Sequence, residues 1–191
     1  MYNTEYFRLF IEKCANEKTR FSIITAGGGA SLAEICKKPG SSNAIDFFLY
    51  LNDTDNIKKE SEITIGRKIK SVSYEFIQEM LWFLKKTPAF SSTNVIAATC
   101  SLVTNRKQRA ENRAILLLNN VLTEITFHNQ ASFEDFKSQK ISTLRASQDE
   151  IVSLYAIRPF MSEEIKNRIS RYCDTMFPCV VKEIKITNLE D

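Results

Sequence analysis

Phe21-Ser22-Ile23-Ile24-Thr25-Ala26-Gly27-Gly28-Gly29-Ala30-Ser31-Leu32 is the stretch on which the reading of this chain turns. Phe21 to Thr25 is a short apolar run, the pattern of a strand buried on both faces. The chain has only 5 glycines, and three of them stand consecutively at the end of that run. A backbone that uses glycine so sparingly and then places three together needs an unusual conformation there. Leu32 to Lys38 reads as a short helix stopped by Pro39-Gly40. Strand, glycine turn and helix in that order open an α/β arrangement.

The same alternation continues outward. Residues 5–17 place Tyr6, Phe7, Phe10, Ile11 and Cys14 at helical spacing. Ala44 to Leu51 reads as a second buried strand, and the polar stretch from Asn52 to Ser61 as a loop or short exposed helix. Ser71 to Lys86 carries Phe76, Ile77, Met80, Leu81 and Leu84, an amphipathic helix, and Thr93 to Val103 a third strand. Ala114 to Leu118, then Asn119-Asn120, then alternating Val121, Thr123, Ile125 and Phe127 spell a β-hairpin. Ser132-x-x-Asp135 and Ser147-x-x-Glu150 resemble capping boxes and predict two helical pieces between 132 and 158. Ser162 with Glu163 and Glu164 opens a last helix, favoured by the macrodipole. After Pro178, Val180 and Ile184 alternate with Glu183 and Lys185, a half-exposed strand. The expected fold is α/β with a mixed sheet, formed by residues 1–191 as a single domain, with 161–191 as a C-terminal helix–strand extension.

Composition narrows the function. The 191 residues, with 43% hydrophobic and 26% charged, are ordinary for a globular domain, which sets disorder and fibrous classes aside. A net charge of +3 is too mild to indicate nucleic acid. No apolar run approaches a membrane span, and Met1-Tyr2-Asn3-Thr4-Glu5 lacks the pattern of a signal peptide, so the expectation is a cytoplasmic protein with no membrane partner. Cys14, Cys36, Cys100, Cys173 and Cys179 are scattered without metal-ligand spacing and His128 is the only histidine, so neither a metal nor a cofactor is expected.

Backbone N–H groups at a glycine turn entering a helix can hold an anion. The pattern is neither G-x-G-x-x-G nor a Walker motif. Ser31-x-x-Glu34 offers the other reading, a capping box in which Ser31 satisfies the helix's own donors and the glycines merely turn. Residues alone leave ligand loop and plain turn both open.

Thr25-Ala26-Gly27-Gly28-Gly29-Ala30-Ser31-Leu32 followed by Pro39-Gly40-Ser41-Ser42 resembles the C-terminal domain of the CinA (competence/damage-inducible) family. The later stretch Thr99 to Ala114, with Leu102, Thr104, Arg106, Lys107, Arg109 and Arg113, is similar to a second motif of a divergent branch that carries three glycines in the first. The resemblance covers roughly residues 5 to 157. It implies a three-layer α/β/α sandwich, often a homodimer, with a ligand site at the glycine loop, and an activity of the nicotinamide mononucleotide deamidase type. It aligns Thr25 with the family's serine nucleophile, but puts Asn52, Asp53 and Ile57 where the family has tyrosine, serine and lysine. Asn52 cannot act as a base at neutral pH and Ile57 cannot at all. Lys58 and Tyr50 are the nearest substitutes. The implied ligand set is Gly27, Gly28, Gly29, Ser31, Ser41, Ser42 and Asn52, with Arg106, Arg109 and Arg113 as phosphate forks. The expectation is a degenerate or repurposed pyridine-nucleotide amidase site that binds a phosphorylated small molecule. The alternatives are an active amidohydrolase using Thr25, or a non-catalytic interaction module.

Overall fold

The structure is a computed structural model, and it describes residues 3–51, 54–86, 94–102, 112–119, 121–128 and 140–185. The elements in chain order are α1 (Asn3–Glu17), β1 (Phe21–Ala26), α2 (Ala33–Cys36), β2 (Ile45–Leu51), α3 (Asp55–Ile65), α4 (Tyr74–Lys85), β3 (Asn94–Ser101), β4 (Arg113–Leu118), β5 (Val121–Phe127), α5 (Lys140–Ile157), α6 (Glu163–Met176) and β6 (Cys179–Lys185). The strands form one sheet in the order β2-β1-β3-β4-β5-β6. β2, β1 and β3 run parallel; β3, β4, β5 and β6 are successively antiparallel. The expected mixed α/β fold is what forms.

Helices cover both faces. Side-chain alternation along β1 sends Phe21 and Ile23 to a core shared with α1, α2, α5 and α6, and Ile24 and Ala26 to a second core shared with α3 and α4. The first core is anchored by Phe10, Phe21 and Phe160, with ring centroids 4.5 to 6.2 Å apart, the offset, tilted packing that aromatic quadrupoles favour. α6 adds Ile169 and Cys173 to that core, and β6 extends the same sheet.

Local chemistry explains most boundaries. Ser73 caps α4, its hydroxyl accepting the Phe76 N–H at 3.1 Å. Asn119 turns the β4–β5 hairpin at φ 53°, a conformation asparagine tolerates. One expectation is sharpened and one changes. The polar stretch after β2 holds a helix reaching Ile65, because Ile57 drops into the second core. Ser147 starts no helix: it lies within α5, whose buried residues Ile151, Val152 and Leu154 carry the helix straight through. The Ser132 motif lies outside the described residues.

Candidate active site

β1 is followed by α2 on one face and β2 by α3 on the other. The chain leaves β1 toward β2 and later returns on the other side of β1 as β3. The strand order therefore reverses between β1 and β3, and a crevice opens at their carboxyl ends. The glycine run sits at that point.

Each glycine there is explained by protein packed against it. Gly27 has φ +72°, and a Cβ on it would run into the backbone carbonyl of Cys100 in β3. A Cβ on Gly28 would lie 2.7 Å from Leu102 Cδ1 and 2.8 Å from Cys100 Cβ. The loop therefore folds back onto the end of β3 at a distance only glycine permits.

The donors of the loop converge on one carboxylate. The Gly29 N–H donates to Asp149 Oδ1 at 2.6 Å and the Ala30 N–H to the same oxygen at 3.1 Å. The Ser31 N–H and hydroxyl both donate to Asp149 Oδ2, at 2.7 and 2.6 Å. One helical turn earlier on α5, Arg145 Nη2 donates to the Gly27 carbonyl at 3.0 Å. Ser31 therefore is not the N-cap. The residue at that position, Gly29, is left-handed with no side-chain cap, and the acceptor comes from α5. An ionised carboxylate offers about four acceptor sites and charge-assisted bonds where a serine hydroxyl offers two weaker ones, so the distant acid displaces the local motif.

Thr25 lies beneath this loop. Its side chain is fully buried, its Cγ2 packs under Gly29, and its hydroxyl has no hydrogen-bond partner among the described residues. Tyr50 is its register partner on β2 and shares its sheet face, half-buried. Lys58 sits on α3, in the layer on the opposite face from Thr25. Cys100, beside the loop, is a buried thiol held protonated, first by desolvation and then by the Asp149 carboxylate, so it is not a poised nucleophile.

The other anticipated ligand residues are dispersed. Ser41 and Ser42 precede β2 at the amino ends of the strands, while the glycine loop is at the carboxyl end of β1. Six residues of strand separate them, roughly 20 Å. Ser41 donates to the Cys36 carbonyl at 3.2 Å. Arg113 opens β4 on the α3/α4 face, where it donates to the Val72 carbonyl at 2.7 Å and pairs with Glu124 at 3.6 Å. Asn52, Arg106 and Arg109 lie outside the described residues. Among the described residues no cluster of His, Cys, Asp or Glu could hold a metal ion, and no helix is long and apolar enough to cross a membrane.

No family model and no curated protein matches the chain. Solved structures do. The chain is similar to proteins of the competence/damage-inducible, or CinA, group. One is the competence/damage inducible protein CihA from Agrobacterium tumefaciens, with 14% identity, a TM-score of 0.47, and coverage of 75% of this chain and 92% of that one. A CinA superfamily protein from Klebsiella pneumoniae gives 12% identity and a TM-score of 0.44, covering 78% of this chain and 96% of that one. A competence or damage-inducible protein from Enterobacter asburiae gives 12% and 0.44, covering 77% and 96%.

Asp149 and Arg145 were invisible to motif reading. The signal that was present is an Arg–Asp pair at i, i+4 on a helix face that also carries the buried Gln148 and Val152. Charges placed among core positions need partners.

Proposed function

We propose that this chain is a non-catalytic relative of the pyridine-nucleotide amidases, whose glycine loop is an anion cradle held by the protein's own Asp149. In this reading a phosphorylated small molecule binds by exchanging its oxygens for the Asp149 carboxylate. The observation that carries the reading is the convergence of the Gly29, Ala30 and Ser31 N–H groups and the Ser31 hydroxyl on that one carboxylate. Such a donor set suits a phosphoryl group equally well. Turnover is disfavoured by the burial of Thr25 and by the position of Lys58 on the opposite face, since a hydroxyl nucleophile needs a base within hydrogen-bond reach.

Two measurements test it. The purified chain, incubated with nicotinamide mononucleotide, should release no ammonia. Across a panel of phosphate-bearing nucleotides, Asp149→Ser should give a larger rise in melting temperature than the wild type, by mass action at the vacated cradle. Ammonia release that disappears in Thr25→Ala would establish the amidohydrolase instead; the Thr25–Tyr50 register is the feature that favours that second reading. Absence of any ligand shift in both proteins would refute the cradle as a binding site.

A further inference from the structure

β6 ends the sheet opposite β2, and β5 is its only strand partner among the described residues. The ladder runs without a slip, from Phe127 opposite Cys179 to Val121 opposite Lys185. The His128 N–H donates to the Pro178 carbonyl at 3.1 Å, which marks that pair as a hydrogen-bonded one. Bonded and non-bonded pairs alternate along an antiparallel ladder. Val180, Lys182 and Ile184 therefore turn their backbone groups toward β5, while Cys179, Val181, Glu183 and Lys185 turn theirs outward. The outward row spans roughly 20 Å, with no proline or bulge to interrupt it.

The side chains above this edge have a definite pattern. Val180 and Ile184 are 41% and 49% exposed, unusual for apolar residues on a strand, and Lys182 lies between them. On the same face Arg113 of β4 pairs with Glu124 of β5, and Glu124 stands opposite Lys182. Glu124 thus lies between two cations, Arg113 diagonally and Lys182 directly opposite. Leu117, Leu122 and Ile184 form an apolar row beside it. A further strand that continued these rows would set an acid against Lys182 and an apolar side chain against Ile184, and the exposed Val180 offers a second apolar contact.

A second copy of this edge does not meet that requirement. A two-fold antiparallel axis at Val181, Lys182 or Glu183 sets Val180, Lys182 or Ile184 against Lys182, never an acid, and the register centred on Lys182 also opposes two ammonium groups, which destabilises a sheet. We infer that the outer edge of β6, unpaired among the described residues, is a docking site for an extended peptide of another protein, with an acidic residue flanked at alternate positions by β-branched apolar ones. Main-chain bonds to Val181 and Glu183 supply adhesion and Lys182 supplies selectivity.

The test uses the full chain and a fluorescent Thr-Val-Thr-Glu-Thr-Val-Thr peptide followed by anisotropy. The expected result is saturable binding, weakened about fivefold when the central Glu is replaced by Lys. Lys182→Glu, at an exposed site, should reverse that ranking, and N-methylation of alternate peptide amides should abolish binding. Equal affinity for the acidic and basic peptides overturns the inference. So does binding that survives N-methylation, no binding at about 1 mM peptide, or a dimer in sedimentation that Lys182→Glu dissolves.

Discussion

Removing the Asp149 carboxylate should loosen the glycine loop by an amount that can be worked out bond by bond. Asp149→Ala leaves the Gly29 and Ser31 N–H groups, both partly or fully buried, and the Ser31 hydroxyl without their acceptor. Ala30 is exposed, and its N–H turns to water at little cost. Hydrogen bonds to a charged acceptor contribute ~1.5–3 kcal/mol each, and rehydration recovers part of that where solvent can enter. A net loss of about 3 kcal/mol follows for the two buried donors, equivalent to roughly 6–12 °C in melting temperature for a chain of this size. Asp149→Asn should cost about half as much. Its remaining oxygen still accepts from Gly29 and Ala30, while its amide NH2 opposes the Ser31 N–H. Urea denaturation with an unchanged m-value is the assay, and amide exchange at Gly29 and Ser31 localises the effect. If Asp149→Ala changes stability by less than about 0.5 kcal/mol, the surface-substitution range, the loop does not depend on this carboxylate.

Other outcomes are expected. Arg145→Ala should cost about 1–2 kcal/mol by freeing the Gly27 carbonyl, and in urea titrations its effect should fall short of additive with Asp149→Ala because both grip one loop. Gly27→Ala should destabilise by at least about 3 kcal/mol, combining left-handed backbone strain with a collision against the Cys100 carbonyl. Gly66→Ala, left-handed but open within 4 Å, should cost only about 1–2 kcal/mol in the same assay. Burial raises the Cys14 and Cys179 thiols from an ordinary 9.0 to about 11 and the Tyr155 hydroxyl from 10.0 to about 12. The folded chain holds these protons more tightly than the unfolded one, so stability is full below pH 9 and falls as pH rises toward 12, as melting curves across that window should record. A thiol reagent at pH 8 should modify the exposed Cys36 well before buried Cys14, Cys100 or Cys173.

The strands were legible because they write themselves as mostly apolar runs: Phe21 to Thr25 and Ala114 to Leu118 fall in strands buried on both faces. Ala44 to Leu51, expected to be buried, forms the half-buried edge strand β2, with Asp46 paired to Arg20. The place of the glycine loop was legible too, since three glycines have no cheaper use. What holds the loop was not. Ser31-x-x-Glu34 is a local signature, and it lost to an acid from α5 that no local pattern ties to it. Pro39-Gly40-Ser41-Ser42 follows closely in sequence, yet the return of the chain through α2 carries it to the amino end of the sheet. Arg113 read as part of a basic run, but strand alternation turns it to the α3/α4 face.

The bond from Gly29 to Asp149 spans 120 positions of chain. During synthesis the loop leaves the ribosome long before its acceptor exists, at about 5–20 residues per second. For those seconds its N–H groups are served by water, and β1 cannot acquire its final lid. Fragments ending before α5 should therefore hold the parallel strands with an unset loop, and docking of α5 should be a late, non-local step whose closure entropy is met only when both Arg145 and Asp149 arrive together.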